Sequence, residues 1–242
     1  YLTEVVELAY KNDFQTDLIH IDEQEILGVN SREDLALAEK IIQTKLRHFF
    51  LNNGVTLIDP ETNYFSYDTI IKKDVTIFPN VFIGEGVKID SGSSILSFCH
   101  LENCYIKKNV SIGPFARIRG NTVLNENNKI GNFVELKHVI SEKDVKINHL
   151  SYIGDTSIGR SSNIGAGSIT CNYDGHKKNK TFIGSNAFVG SNSTMVAPLK
   201  IGNNSTIGAG SVITEDVNNG DLAIGRERQV NKKDRSITKK KN

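Results

Sequence analysis

His149 is the side chain in this sequence best suited to move a proton. Histidine titrates near pH 6.5 when nothing perturbs it, so it can act as a base at neutral pH. Several polar side chains that could bind or orient a substrate lie close to it along the chain. They are Glu135, Lys137, Tyr152, Asn163 and Asn172. These neighbouring polar side chains favour a catalytic role for His149 over a purely structural one.

Metal and thiol chemistry are the rival uses of the histidines and cysteines. His138, His149 and His176 are 11 and 27 residues apart and form no tight pair on neighbouring strands, which disfavours a zinc site. The odd number of cysteines and the lack of a CxxC motif argue against a disulfide framework. The lack of a disulfide framework favours a reducing, cytoplasmic location. Of Cys99, Cys104 and Cys171, the last has no neighbouring base, so we expect a packed or accessible thiol and not a nucleophile.

The elements that must position these groups follow a six-residue repeat. An aliphatic residue recurs at every sixth position, and a glycine often follows it. A helix of 3.6 residues per turn would scatter such a pattern, whereas a short strand with a tight corner requires it. Three hexads then form one coil, and the sequence predicts a parallel β-helix of roughly eight coils. The series runs from Ile71 to Leu101, Ile106 to Leu136, Tyr152 to Ile164 and Ile183 to Ile213.

The repeat fails at two places that we expect to mark the functional face. The register slips between Leu136 and Tyr152, and the polar segment CNYDGHKKNKTF at 171–182 must leave the prism as a loop. Interruptions of a repeat often map to loops on the binding face. With 18 residues per coil, Lys137 would align with Asp155, and Glu135 with Ile153.

The N-terminal part has a different pattern. Ser31 is a candidate N-cap with Asp34 three residues later, and Gly54 fits a helix end, which predicts one long helix. Residues 1–30 are expected to form a short helix and a strand without partners. The predicted buried face of the long helix consists of Leu35, Ala38, Ile42, Leu46 and Phe49.

Charge and composition exclude several classes of protein. The net charge is +1, which divides into +5 for residues 229–242 and −4 for the rest of the chain. A slightly acidic body argues against nucleic-acid binding, and the basic tail is expected to be disordered. No apolar run approaches the roughly 18 residues that span a bilayer. Because the chain begins at Tyr1 and its single methionine is Met195, we expect a fragment whose start has been removed.

Five segments carry a resemblance to a known enzyme family. They are IGPFARIR at 112–119, IGNFVELK at 130–137, INHLSYIGD at 147–155, NIGAGSITCNYDG at 163–175 and FVGSNSTMVAP at 188–198. They resemble the bifunctional UDP-N-acetylglucosamine pyrophosphorylase/glucosamine-1-phosphate N-acetyltransferases. EILGVNSREDL at 25–35 resembles the junction between the family's uridyltransferase domain and its linker helix.

The resemblance implies an architecture. Residues 1–31 would be the end of a uridyltransferase domain, 32–53 a linker helix, 54–228 a left-handed β-helix acetyltransferase domain, and 229–242 a basic tail. It also implies a homotrimer in which two or three subunits contribute to each CoA site. The uridyltransferase of the complete enzyme uses Mg²⁺, for which Asn30 matches a ligand. Its Asp partner and the Gly-rich nucleotide loop are absent, so we expect no UDP-N-acetylglucosamine synthesis from this chain.

The resemblance further implies an activity and a set of roles. An acetyl group would pass from acetyl-CoA to the 2-amino group of glucosamine 1-phosphate, giving N-acetylglucosamine 1-phosphate for cell-wall precursor synthesis. His149 would be the general base, Glu135 the carboxylate that orients it, and Asn172 a further catalytic residue. The residues matching the sugar-phosphate site are Arg119, Lys137, Tyr152, Asn163 and Lys178. Those matching the acetyl-CoA site are Ala166, Asn172, Tyr173, Ser191, Ala209 and Arg226.

One departure and two alternatives stay open. Where the family often has Arg-x-Pro-Gln, this chain has Arg226 followed by Glu-Arg-Gln, so the path of the tail over CoA is not fixed by the resemblance. The chain could also be another hexapeptide acyltransferase with a different amine or hydroxyl acceptor. A third interpretation is an oligomerisation scaffold of a nucleotidyltransferase, which would bind no acetyl-CoA.

Overall fold

The fold is known from a computed structural model that describes residues 3–22 and 25–233. The chain divides into two compact units, Tyr1–Lys45 and Leu46–Asn242. The expected disorder of the tail falls largely on residues 234–242, which lie outside the described residues. None of the described helices is both long and apolar enough to cross a membrane.

Two α-helices precede the β-structure. Helix α1 spans Glu4–Lys11, and helix α2 spans Arg32–Asn52. The predicted cap of α2 is confirmed, because the Asp34 N–H donates to Ser31 Oγ (3.1 Å) and the Ser31 N–H donates to Asp34 Oδ2 (2.9 Å). The strand expected within residues 1–30 was wrong, since the described part of that segment contains α1 and no strand.

The expected buried face of α2 was correct only in its middle. Ala38, Ile42 and Leu46 are half-buried, whereas Leu35 is 57% and Phe49 58% exposed. Phe50 is the buried aromatic of this helix, and its ring lies 4.8 Å from that of Phe65. The buried position at the C-terminal end of α2 is therefore Phe50, one residue after the predicted Phe49, and Phe50 packs against Phe65 in the first coil.

The second unit is a left-handed parallel β-helix with three faces. Face 1 consists of β1 (Thr56–Leu57), β4 (Thr76–Ile77), β7 (Ser94–Ile95), β10 (Ser111–Ile112), β13 (Lys129–Asn132), β15 (Lys146–His149), β17 (Asn163–Ile164), β20 (Phe188–Val189), β23 (Thr206–Ile207) and β25 (Leu222–Ala223). Face 2 consists of β2 (Tyr64–Phe65), β5 (Phe82–Ile83), β8 (His100–Leu101), β11 (Arg117–Arg119), β18 (Ile169–Cys171), β21 (Thr194–Val196) and β24 (Val212–Ile213). Face 3 consists of β3 (Ile70–Ile71), β6 (Val87–Ile89), β9 (Cys104–Ile106), β12 (Thr122–Leu124), β19 (Thr181–Ile183) and β22 (Leu199–Ile201). Two longer strands, β14 (Glu135–Ser141) and β16 (Tyr152–Ile158), run around the corner and belong to both face 2 and face 3.

Aliphatic side chains fill the prism, as the repeat predicts. Those of Ile83, Ile112 and Ile118 have no exposed surface, and burial of such side chains is the main favourable term in folding. Serines occupy several of the other inward positions, and some of them hydrogen-bond to backbone carbonyls. Ser93 Oγ donates to the Lys107 carbonyl (2.8 Å) and Ser162 Oγ to the Gly184 carbonyl (2.6 Å).

Inward-facing residues continue through the first predicted break, but one of them is polar and their spacing changes. Ser141, Ile147 and Ile153 hold the inward positions, whereas Tyr152, expected in the series, is only half-buried. A five-residue step from Leu136 to Ser141 shortens the coil, so strands β14 and β16 pair residues 17 apart. The alignments expected from 18 residues per coil were therefore wrong, and Glu135 lies beside Tyr152. The second break is confirmed as an exposed loop between β18 and β19.

Several glycines at the corners provide clearance and not backbone freedom. A Cβ on Gly131 would lie 1.6 Å from the Asn148 carbonyl oxygen, and one on Gly165 or Gly190 would lie 2.5 Å from a backbone nitrogen of the next coil. None of these three has a positive φ. The left-handed corner positions are taken mostly by Asn and Asp, such as Asn109 at φ 57°, because these side chains tolerate that conformation.

We predict that Ile118→Ala destabilises the β-helix by about 2–5 kcal/mol, because it leaves a cavity in the filled interior. The matched control is Ile140→Ala on the outer surface of β14, where Ile140 is 55% exposed, and its effect should stay within about 0.5 kcal/mol. Urea denaturation of both variants measures the difference. Equal losses would contradict the assignment of Ile118 to the interior.

Candidate active site

The register of face 2 brings the candidate side chains into adjacent rows. Glu135 pairs with Tyr152, while Lys137 pairs with Arg119 on one side and with Gly154 on the other. Parallel strands place paired residues about 4.8 Å apart, with their side chains on the same surface. Outward-facing groups from three successive coils therefore meet on one patch of face 2.

Three cations converge on this patch. The pKa of the Lys137 ammonium lies below its ordinary value, chiefly because the Lys178 side chain lies within hydrogen-bonding distance of it, and further through desolvation and repulsion by Lys178 and Arg119. Lys178 reaches the patch from the loop between β18 and β19. Positive groups this close repel one another unless an anion lies between them. The arrangement suits a phosphate group, which accepts hydrogen bonds from both guanidinium and ammonium groups.

Glu135 contacts Arg119, not His149. Both Nε and a terminal nitrogen of Arg119 lie 2.7 Å from Glu135 Oε1. The role expected for Glu135, to orient the imidazole, does not match this geometry. Glu135 begins β14 on face 2, whereas His149 ends β15 on face 1, and the nearer Arg119 takes the carboxylate.

The imidazole of His149 is exposed and is held by an amide. Its Nδ1 makes a short contact with Asn132 Oδ1, the residue paired with His149 in the neighbouring coil. An amide oxygen only accepts hydrogen bonds, so this contact favours the neutral tautomer with the proton on Nδ1 and an accepting lone pair on Nε2. Asn132 therefore makes the contact with the imidazole that the resemblance implied for Glu135.

The loop that presents Lys178 is fastened by Asp174. The carboxylate of Asp174 accepts hydrogen bonds from the N–H groups of Lys177 (2.8 Å) and His176 (2.9 Å) and from Asn179 Nδ2 (2.8 Å). These donors lower the pKa of Asp174 to about 2, with the Lys177 N–H the largest cause. The loop thus has a defined conformation although most of its side chains are exposed.

Tyr152 and Asn172 meet above Gly154. A Cβ on Gly154 would lie 2.7 Å from both the Tyr152 hydroxyl and Asn172 Nδ2. Only glycine leaves room for these two side chains, and the Gly154 N–H is bonded to Thr170 Oγ1 at 2.7 Å. Gly154 is a site residue that the sequence did not reveal, because it looks like any other corner glycine.

Three of the residues expected at the acetyl-CoA site form a column with His149 along the corner between faces 1 and 2. The Gly167 N–H donates to the His149 carbonyl, the Asn192 N–H to the Ala166 carbonyl and the Gly210 N–H to the Ser191 carbonyl. Arg226 Nε closes the column on the Ala209 carbonyl at 2.8 Å. His149, Ala166, Ser191 and Ala209 therefore occupy the same corner in successive coils.

Two expected residues lie apart from these groups. Asn163 faces outward on face 1, where it pairs with Lys146, and is not on face 2 with Tyr152. Tyr173 is 61% exposed in the loop, and its hydroxyl donates to the Gly175 carbonyl at 2.7 Å. Neither contributes to the cationic patch within this chain.

The residues around Asn30 do not fit a Mg²⁺ site. The Asn30 N–H donates to Asp34 Oδ2 (3.0 Å), so the nearest carboxylate is engaged in capping helix α2. Magnesium prefers several oxygen ligands. Within residues 3–22 and 25–233, no group of three His, Cys, Asp or Glu residues could hold a metal ion.

The buried thiols are unsuited to nucleophilic chemistry. Burial raises the pKa of Cys99 to about 11 and that of Cys104 to about 12. The thiolate is the reactive form, so both remain protonated at neutral pH. Cys171 is more accessible but lies at the end of β18 without a neighbouring base on that strand.

Comparison with known proteins shows what this chain is similar to. Residues 103–138 and 180–215 match the family model "Bacterial transferase hexapeptide (six repeats)". The chain is 52% identical over 233 residues to "Bifunctional protein GlmU" of Wolbachia pipientis wMel, covering 96% of this chain and 54% of that protein. It is 57% identical over 230 residues to the protein of that name from Bradyrhizobium diazoefficiens, covering 95% and 51%. This chain is homologous to about half of a GlmU protein.

The chain spans about half the length of the curated GlmU relatives that it matches. LpxA from Acinetobacter baumannii is a solved structure with some likeness, at 20% identity and a TM-score of 0.42, covering 70% of this chain and 71% of that one. At that score the likeness adds nothing to this homology. The GlmU relatives and the hexapeptide repeats support the homology together.

We predict that the amide signals of His176 and Lys177 titrate with a midpoint near pH 2, because both donate to Asp174. A pKa depressed below its ordinary 3.8 means that this stabilisation of the loop is complete above pH 3.8 and is lost as pH falls through about 2. NMR titration measures the midpoint, and Asp174→Asn serves as the control that does not titrate. A midpoint near 3.8 would contradict the hydrogen-bonded conformation of the loop.

Proposed function

We propose that this chain transfers the acetyl group of acetyl-CoA to the 2-amino group of glucosamine 1-phosphate. The observation that carries the proposal is the convergence, near the coil of His149, of a cationic patch and a corner lined by small residues. The cationic patch (Arg119, Lys137 and Lys178) supplies a site for the sugar phosphate. The corner column (His149, Ala166, Ser191 and Ala209) offers a path for the extended CoA molecule.

Binding of the phosphate would relieve the repulsion among the three cations. The lowered pKa of Lys137 reflects first the closeness of the Lys178 side chain, and then desolvation and the repulsion from Lys178 and Arg119. An anion between them replaces like-charge repulsion by attraction, and it would hold the sugar in a defined orientation. Tyr152 and Asn172, which meet above Gly154 beside the patch, are placed to contact the sugar or the acetyl group.

The reaction requires removal of a proton from the sugar ammonium. His149 Nε2 would accept that proton, since Nδ1 is held by Asn132. The neutral amine then attacks the thioester carbonyl carbon, the nitrogen of the tetrahedral intermediate loses its second proton to solvent, and the C–S bond breaks as the intermediate collapses to the amide. The proton taken by His149 can return to the departing thiolate, which leaves as CoA.

The backbone at Ala166 is suited to stabilise the negative oxygen of the intermediate. The N–H groups of Gly165 and Gly167 are bonded to the Val189 and His149 carbonyls. The N–H of Ala166, between them, makes no hydrogen bond within residues 3–22 and 25–233. A free donor one coil from His149 matches the needs of an oxyanion site.

We further propose that the active protein is a homotrimer, as in the family that the sequence resembles. A stack of Phe98, Phe115 and Phe133 along the corner beside the column supports an interface there. Their rings are 4.8 and 5.1 Å apart, and each is about half exposed. All three have a positive φ between 55° and 62°, a costly conformation for a bulky residue. Contact with a second subunit would cover this apolar surface.

We predict that purified protein releases free CoA thiol from acetyl-CoA only when glucosamine 1-phosphate is present. His149→Ala should lower kcat by about 10²–10⁴-fold, the usual contribution of a general base. His20→Ala, which removes an exposed histidine in the first unit, is the matched control and should keep the wild-type rate. Thiol release with a chromogenic reagent measures both rates.

Three results would overturn the proposal. Release of CoA only with serine or another amine would identify a different acyltransferase. A His149→Ala variant with the wild-type rate would exclude the proposed base. Absence of any thermal stabilisation by acetyl-CoA would favour an oligomerisation scaffold.

We predict that Lys137→Met raises KM for glucosamine 1-phosphate at least tenfold and leaves KM for acetyl-CoA within twofold, a rough expectation for losing one charged phosphate contact. Lys88→Met, on the outer surface of face 3, is the control and should change neither constant. Steady-state kinetics with each substrate varied in turn measures the effect. Equal changes in both KM values would contradict a phosphate-specific role.

A further inference from the structure

Asp155 joins two side chains at the corner between faces 2 and 3. Its Oδ2 accepts a hydrogen bond from Asn172 Nδ2, and its Oδ1 lies 3.3 Å from His138 Nδ1. The Asp155 side chain is only 16% exposed, and Asn172 is 7% exposed. Both His138 and Asp155 have a positive φ, of 53° and 49°. This conformation is common at the corners of this β-helix, so the contacts of Asp155, and not its backbone, distinguish it.

The chemistry of this contact fixes the orientation of the Asn172 amide. An ionised carboxylate can only accept hydrogen bonds, so Asn172 must turn its NH₂ group toward Asp155. The Asn172 amide oxygen then points elsewhere, and it accepts no hydrogen bond within residues 3–22 and 25–233. The same amide lies beside the Tyr152 hydroxyl, above Gly154. Asn172 therefore presents a free acceptor beside the proposed sugar site.

We infer that Asp155 is a positioning residue that fixes the Asn172 amide so that its oxygen accepts a hydrogen bond from an N–H group of a substrate. This inference rests on the proposed acetyl transfer. The N–H group can belong to the attacking amine or to an amide of the CoA arm, since both reactants carry such donors. Reversal of the Asn172 amide would place an NH₂ group opposite the substrate N–H and would remove the hydrogen bond.

Asp155 also lies near Lys137, and its negative charge acts to raise the pKa of that lysine. The experiment must therefore distinguish the orientation of Asn172 from an electrostatic effect of Asp155 on Lys137. A double-mutant cycle does this, because a residue that acts through Asn172 loses its effect when Asn172 is removed. Asp155→Asn keeps the size of the side chain but can pair with either end of the Asn172 amide. Asn172→Ala removes the amide that Asp155 is argued to orient.

The chain offers a closely matched control. Asp144 also lies at a corner with a positive φ of 62°, and its carboxylate accepts from the amide of Asn127, 17 residues away, at 2.9 Å. It lies outside the cationic patch and the corner column. Asp144→Asn therefore reproduces the structural change of Asp155→Asn without touching the proposed site.

We expect Asp155→Asn to lower kcat/KM by at least tenfold in the wild-type background and by less than twofold in the Asn172→Ala background. Asp144→Asn should keep the wild-type kcat/KM, and all variants should unfold within a few degrees of wild type. An equal loss from Asp155→Asn in both backgrounds would overturn the inference. So would wild-type activity of Asp155→Asn.

A second measurement keeps the inference separate from the proposed function. The side-chain NH₂ protons of Asn172 should give two well-resolved NMR signals that shift in Asp155→Asn and not in Asp144→Asn. If wild-type protein transfers no acetyl group but these signals behave as expected, the proposed reaction fails and the orienting contact stands. Asn172 signals unchanged by Asp155→Asn would overturn the positioning role itself.

Discussion

The ladder of backbone hydrogen bonds between successive coils is the interaction on which every other feature of this protein depends. It requires that each corner pass close to the corner of the next coil, which is why a Cβ on Gly131 or Gly165 would collide with backbone atoms. Because the coils stack closely, residues separated by one coil length in the sequence form a column in the structure. His149 and Ala166 are 17 residues apart and occupy the same corner because of it. A chemical group repeated at coil spacing thus becomes a linear binding surface.

The site uses two departures from that ladder. A coil shortened by one residue brings Glu135 beside Tyr152, and the extruded loop carries Lys178 to the patch beside Lys137. The loop is held by the hydrogen bonds of Asp174, so Lys178 is positioned before a ligand binds. Such preorganisation lowers the cost of ordering charged side chains when an anion enters.

The sequence predicted the fold well because six-residue periodicity has few other structural explanations. Burial of Ile83, Ile112 and Ile118 follows directly from it. The same pattern placed Tyr152 in the interior, which was wrong. Ser141 holds an interior position there, and because it is polar, a search for aliphatic residues at six-residue spacing does not detect the five-residue step before it. The orienting partner of His149 was also beyond sequence reasoning. Asn132 and Glu135 are only three residues apart, and only the direction of the corner between them decides which one reaches the imidazole.

A crystal structure with CoA and N-acetylglucosamine 1-phosphate tests the central claim most directly. We expect the sugar phosphate to lie between Lys137 and Lys178. We expect the CoA arm to follow the corner of Ala166, Ser191 and Ala209, with its sulfur near His149. The chain also has a groove of about 640 Å³ on face 3, lined in part by Phe182, Lys200 and Asp216. CoA bound in that groove, with the corner column empty, would contradict the account.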